Sequence, residues 1–145
     1  MSYNPQNPNG QAAMAASSPV VIASNQSTLP VNLTPSSTGG LLVSSGSIGG
    51  SAGTSIKATA GQVYGWYIYN NNALPSYVNF YNTNTTPTSG TTTLFFSLGI
   101  PANGGANVFI PQGIAFSSGI GIAITTLRNG TVTPTATVDY NIYYN

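Results

Sequence analysis

The feature that most constrains this chain is alternation with a period of two. It is sharpest in Gly113–Thr126, GIAFSSGIGIAITT, where Ile114 and Phe116 alternate and Ser117-Ser118-Gly119 interrupts. Ile120, Ile122 and Ile124 then alternate with Gly121 and Ala123. Side chains two apart along a strand share a sheet face, so these isoleucines lie together and the opposite face is nearly bare. The two halves read as a hairpin at the centre of an antiparallel sheet, whose isoleucines need a second layer to cover them.

The same period runs through the rest of the chain from Ser55 onward. Ser55–Ala60 is a short strand signal, and Gln62–Tyr69 follows with Tyr64, Trp66 and Ile68 on one face. Val63, Gly65, Tyr67 and Tyr69 lie on the other. Asn70-Asn71-Asn72 and Pro75 make a turn, and Tyr77–Asn82 sets Val78 and Phe80 against Tyr77, Asn79 and Tyr81. Thr83–Thr92, with Pro87 and Gly90, reads as a loop. Leu94–Ile100 offers Leu94, Phe96, Leu98 and Ile100 as the cover for the isoleucines. Val108–Ile110 restarts the pattern, and Val138–Tyr144 closes it with Val138, Tyr140, Ile142 and Tyr144 on one side and Asp139 on the other. Seven or eight strands at spacings of about ten residues, with no helical period, predict an all-β fold. The expected architecture is an antiparallel β-sandwich or jelly-roll-like domain over residues 55–145.

Upstream, residues 1–54 read as an extended N-terminal arm and linker. Pro19–Ala23 (PVVIA) and Leu29–Leu33 (LPVNL) are strand-like, yet each carries a proline that restricts it to an edge or to extended chain. Their apolar residues Val20, Val21, Ile22, Leu29, Val31 and Leu33 are candidates for strand addition onto a partner. Thr34–Thr54 is a Gly/Ser tract broken by Leu41-Leu42-Val43 and Ile48, and reads as a linker.

Charge narrows the function. Only Lys57, Arg128 and Asp139 carry side-chain charge, for a net of +1. That leaves no electrostatic footprint for nucleic acid or an anionic membrane. The apolar runs are far shorter than the ~20 residues of a membrane span, and MSYNPQNPNGQ does not have the pattern of a secretory signal. A free chain so poor in charge has little protection against self-association, which suits life inside an assembly. His and Cys are absent and the one acidic side chain is Asp139. General acid–base pairs, carboxylate dyads and zinc ligands are therefore missing, and the reading is a non-enzyme with no cofactor and no metal. The many tyrosines divide between sheet core, subunit interface and glycan contact.

Two stretches carry a resemblance. Ser18–Leu33, SPVVIASNQSTLPVNL, looks like an arm segment that recurs in small structural proteins of tailed bacteriophages. More loosely, Gly61–Tyr144 is similar to the C-terminal β-domain of the same group, through YVNFYN, TPTSGT, LGIPANGGANVFIPQGIAFSSGIGIAITT and an aromatic last strand. The resemblance implies a virion structural protein, homotrimeric or otherwise symmetric, whose arm engages the major capsid protein or another virion subunit. A capsid decoration (cement) role leads, with a neck, tail or fibre component and a host-glycan-binding adhesion module as alternatives. Within the domain, Gly121, Ala123, Tyr67, Tyr69 and Tyr143 are the subunit-interface candidates. Because the Gly121 and Ala123 face looks bare, a lysine at 123 is expected to impair assembly more than folding.

Overall fold

A computed structural model describes residues 40–145. The proposed arm contacts at Val20, Val21, Ile22, Leu29, Val31 and Leu33 lie outside the described residues. The strands are β1 (Leu42–Ile48), β2 (Thr54–Lys57), β3 (Gly61–Asn70), β4 (Ser76–Asn82), β5 (Phe96–Ile100), β6 (Gly105–Phe116), β7 (Ile120–Thr125) and β8 (Val138–Tyr144).

Their pairing has a simple logic. β1 pairs with β8, β2 with β7, β3 with β6 and β4 with β5, all antiparallel, as if one long hairpin had been laid down. Rolling that hairpin up adds β8 against β3 and β7 against β4. The product is two four-stranded sheets, ordered β1-β8-β3-β6 and β2-β7-β4-β5. The chain is thus an all-β antiparallel sandwich with jelly-roll strand order, as the alternation predicts.

The core lies between the sheets. The first sheet contributes Val63, Trp66, Ile68, Val138, Tyr140 and Ile142, and the second contributes Val78, Phe80, Ile100 and the three isoleucines of β7, all buried. Each fully buried isoleucine contributes about 1.5–3 kcal/mol relative to an exposed one. The Phe80 and Phe96 rings stack with centroids 4.4 Å apart, and Trp66 from the facing sheet lies 5.5 Å from Phe80.

Four expectations are corrected by this architecture. First, Gly113–Thr126 is not a hairpin: Ile114 and Phe116 belong to β6 in one sheet, Ile120–Ile124 to β7 in the other. Ser117–Gly119 is a crossing between sheets, fixed by the Ser118 N–H donating to Asn82 Oδ1 at 2.8 Å and the Thr83 N–H donating to the Gly119 carbonyl at 3.1 Å. Second, the isoleucines are not covered by Phe96, Leu98 and Ile100, which lie in the same sheet on the far side of β4; the cover is β3 and β8. Third, the sandwich does not begin at residue 55. Leu42–Ile48, expected as linker, is an edge strand in unbroken register with β8. Its Gly and Ser residues have low strand propensity, and the ready-made backbone partner overrides that preference. Fourth, Tyr64 does not share the face of Trp66 and Ile68, because a register shift between Val63 and Gly65 turns Val63 inward instead.

Candidate functional site

The sandwich has two outer faces, and they differ in what covers them. On the first sheet, register places three rows across the strands. Val43, Tyr143, Gly65 and Phe109 form one row; Ser45, Asn141, Tyr67 and Asn107 form the next. Ser47, Asp139, Tyr69 and Gly105 form the third. Tyr67 keeps 44% of its surface exposed, Val43 56% and Phe109 65%. Because Gly65 has no side chain, the row between Tyr143 and Phe109 has a gap. Beside it lies a shallow, open depression of about 390 Å³ lined by Trp66, Tyr67, Asn107, Val108, Phe109 and Tyr143.

The polar groups of this face are held by β1 and by the turns at the end of the sheet. The Tyr69 hydroxyl donates to the Asn103 carbonyl at 3.2 Å. Asp139 accepts from Ser47 Oγ and from Asn71 Nδ2, the latter at 2.9 Å. Those two donors, Ser47 first, hold its carboxyl below the usual carboxylate range. With aromatic rings, amides and one carboxylate, the face can recognise a partner by apolar contact and neutral hydrogen bonds far more than by charge.

The outer face of the second sheet is occupied by the chain itself. Residues 83–93 fold back across it, hooked to the β1–β2 connection by the Gly53 N–H donating to the Pro87 carbonyl and the Ser89 N–H donating to the Ser51 carbonyl, both at 2.9 Å. Pro87 lies over Gly121, where any added Cβ would come within 2.9 Å of the proline ring. Beside it runs a buried polar layer. Asn79 Nδ2 donates to Thr125 Oγ1 at 2.8 Å, while its Oδ1 accepts from Ser97 Oγ at 2.7 Å and from the Asn129 N–H at 3.0 Å. The Tyr81 hydroxyl donates to Asn129 Oδ1 at 2.9 Å and lies 2.8 Å from Ser89 Oγ. No buried side-chain nitrogen or oxygen among the described residues lacks a partner.

The structure therefore divides the interface candidates. Tyr67, Tyr69 and Tyr143 come together on the open face of the first sheet. Gly121 and Ala123 lie on the other sheet, fully enclosed, and the expectation that they present a bare face to a sister chain is corrected. Phe109 and Val43, prominent on the open face, were not singled out by alternation. Val43 sits in the Gly/Ser tract, and Phe109 lies in a strand whose period is interrupted just after it at Pro111-Gln112-Gly113.

No protein-family model matches the chain, and no curated protein matches it. Among solved structures, one similar chain is described under "Bacillus endospore appendages form a novel family of disulfide-linked pili". It is 14% identical, the match covers 79% of this chain and 96% of that one, and the TM-score is 0.31. A likeness at that level carries no argument here.

Proposed function

We propose that this chain is a non-enzymatic structural subunit of a bacteriophage particle, acting as a capsid decoration protein. The observation that carries the reading is the open face of the first sheet. Tyr67, Phe109, Val43 and Tyr143 stand in register on a chain with three charged side chains, a surface better suited to permanent contact than to free solution. The Ser18–Leu33 resemblance supplies the phage context and the arm that would reach the major capsid protein. Copies associate symmetrically, as a trimer in the state the resemblance implies, and the arms add linked contacts at high effective concentration. The chain has no cysteine, so disulfides between copies form no part of this reading.

The test is binding to purified empty shells, read by co-sedimentation. Wild-type protein should saturate the shell. A chain lacking residues 1–33, and the double variant Tyr67→Ser/Phe109→Ser, should each lose at least about ten-fold in affinity, the scale of ~1.4 kcal/mol. Full occupancy by both variants would overturn the decoration role.

A second reading rests on the depression beside Gly65, where aromatic rings and the Asn107 amide surround a cavity of about 390 Å³. Rings flanked by amides suit a neutral sugar, which makes a host-glycan-binding adhesion module the alternative. Glycan-array binding by the full chain, abolished by Tyr67→Ser, would select it over decoration.

A further inference from the structure

The four edge strands of the sandwich are not equally protected. An edge exposes unpaired N–H and C=O groups, and proteins blunt such edges with charge, proline, bulges or shortness. β6 carries Pro111, a register shift and Gly113 at φ +70°. β2 has four residues, with a register shift and Lys57. β5 has five residues and is followed at once by Pro101. β1 has none of these defences. Its seven residues, LVSSGSI, hold an unbroken register with β8 and include no proline and no charge. Among the described residues no strand pairs with its outer edge.

We infer that β1 is an association edge, and that its partner is β1 of a second copy, paired antiparallel about a two-fold axis at Ser45. That axis keeps all seven residues paired: Leu42 with the second copy's Ile48, Val43 with its Ser47, Ser44 with its Gly46, and Ser45 with its own counterpart. Any other axis leaves residues of β1 unpaired. In this register Leu42, 58% exposed at the rim of the core, gains an apolar neighbour directly opposite. The two sheets become one of eight strands, with both aromatic faces on the same side.

One further observation favours a second copy over the arm. Each arm segment, Pro19–Ala23 or Leu29–Leu33, is five residues long and would leave part of the seven-residue β1 edge unpaired, where a second copy pairs all of it. Charge does not oppose the pairing. The Asp139 residues of the two copies would stand at least three strand spacings apart, about 14 Å, beyond the ~8 Å screening length of physiological salt. The contact goes beyond the decoration reading, uses an edge distinct from the aromatic face and, being two-fold, joins one trimer to another instead of closing the trimer itself.

Because the chain has no cysteine, single cysteines report the register directly. Facing residues across an antiparallel pair have Cα atoms about 4.5–5.5 Å apart, within disulfide range. In the full chain, Ser45→Cys under mild oxidation should give a covalent dimer on a non-reducing gel. Its yield should exceed that of Val43→Cys at least ten-fold, since the two Val43 positions lie about 13 Å apart along the strands. Val43→Cys combined with Ser47→Cys should restore the dimer. Ser45→Lys should shift the native mass toward the smaller species while leaving the unfolding midpoint in place. Equal yields from the single cysteines, no dimer from Ser45→Cys, or cross-linking of a cysteine at 45 to one at Val21 in place of its own counterpart would each overturn the inference. Shell binding is measured separately, so a missing dimer with shell binding retained refutes the edge pairing and leaves the structural role standing.

Discussion

The two outer faces of the sandwich start from similar material and end differently. Each has tyrosines alternating with core residues and asparagine nearby: Tyr67 and Tyr69 with Asn141 on the first sheet, Tyr77 and Tyr81 with Asn79 on the second. On the second sheet, the segment 83–93 folds back and turns that polar surface into a buried, fully satisfied layer. The first sheet has no such cover among the described residues, and Tyr67 stays exposed. The difference teaches that an outer-face tyrosine takes its role from the loop above it. Covered, it is a structural hydrogen-bond donor; uncovered, it stays open to solvent.

The largest effect that can break this comparison comes from placing one lysine on each face. Ala123 is fully buried, so Ala123→Lys puts an unpaired charge into the interior of the covered side. The expected cost to the isolated protein is on the order of 3–5 kcal/mol. This reverses the expectation, drawn from the bare appearance of that stretch, that assembly suffers before folding. Tyr67→Lys on the open face should change stability by no more than about 0.5 kcal/mol while weakening shell binding. Urea unfolding of the two variants decides the matter. Similar midpoints for both would mean that the faces are not differently covered.

A smaller effect sharpens the covered side. The Tyr81 hydroxyl joins Ser89 to Asn129, and burial pushes its pKa up, against the Ser89 hydrogen bond. Tyr81→Phe leaves both partners short of a hydrogen bond and should cost about 1–2 kcal/mol at neutral pH. The sign with pH follows from the raised folded-state pKa. The contribution is fully present below the unfolded tyrosine pKa of ~10 and is lost as pH rises through the folded value. Wild type and Tyr81→Phe should therefore converge in stability above about pH 10. A constant gap across that range would place the tyrosine in contact with water.

How much of this was legible in the residues follows the same division. Inward faces were readable because burial between sheets selects large apolar side chains every second position, as at Val78 and Phe80, Ile120 to Ile124, and Val138, Tyr140 and Ile142. The cover of Gly121 was not readable, because it comes from Pro87 in a stretch whose composition says only loop. β1 was hidden for a related reason. Its strand conformation comes from the β8 backbone beside it, so its own side chains carry little of the signal. Tyr64 was misplaced because a bulge moves the period by one residue and leaves no mark in the alternation. Of the site, the sequence marked Tyr67, Tyr69 and Tyr143 as contact residues; their meeting on one face depends on β8 lying against β3, a pairing between distant parts of the chain.

The smallest effect belongs to the open face. Asp139 is the one acidic side chain, and its carboxylate is held by Ser47 and Asn71 with a lowered pKa. A depressed folded-state pKa contributes stability above the unfolded value of ~3.9, and that contribution disappears as pH falls through the folded value. With no histidine in the chain, stability should be nearly flat from about pH 5 to 9 and then decline slightly in acid. Asp139→Asn should remove the side-chain part of that decline, leaving whatever the C-terminal carboxylate adds. Because Ser47 lies on β1 and Asn71 lies beyond the end of β3, the carboxylate ties three strands at one end of the open face. A decline of unchanged size in the variant would show that these two hydrogen bonds do not hold in solution, and that this end of the face is looser than the covered one.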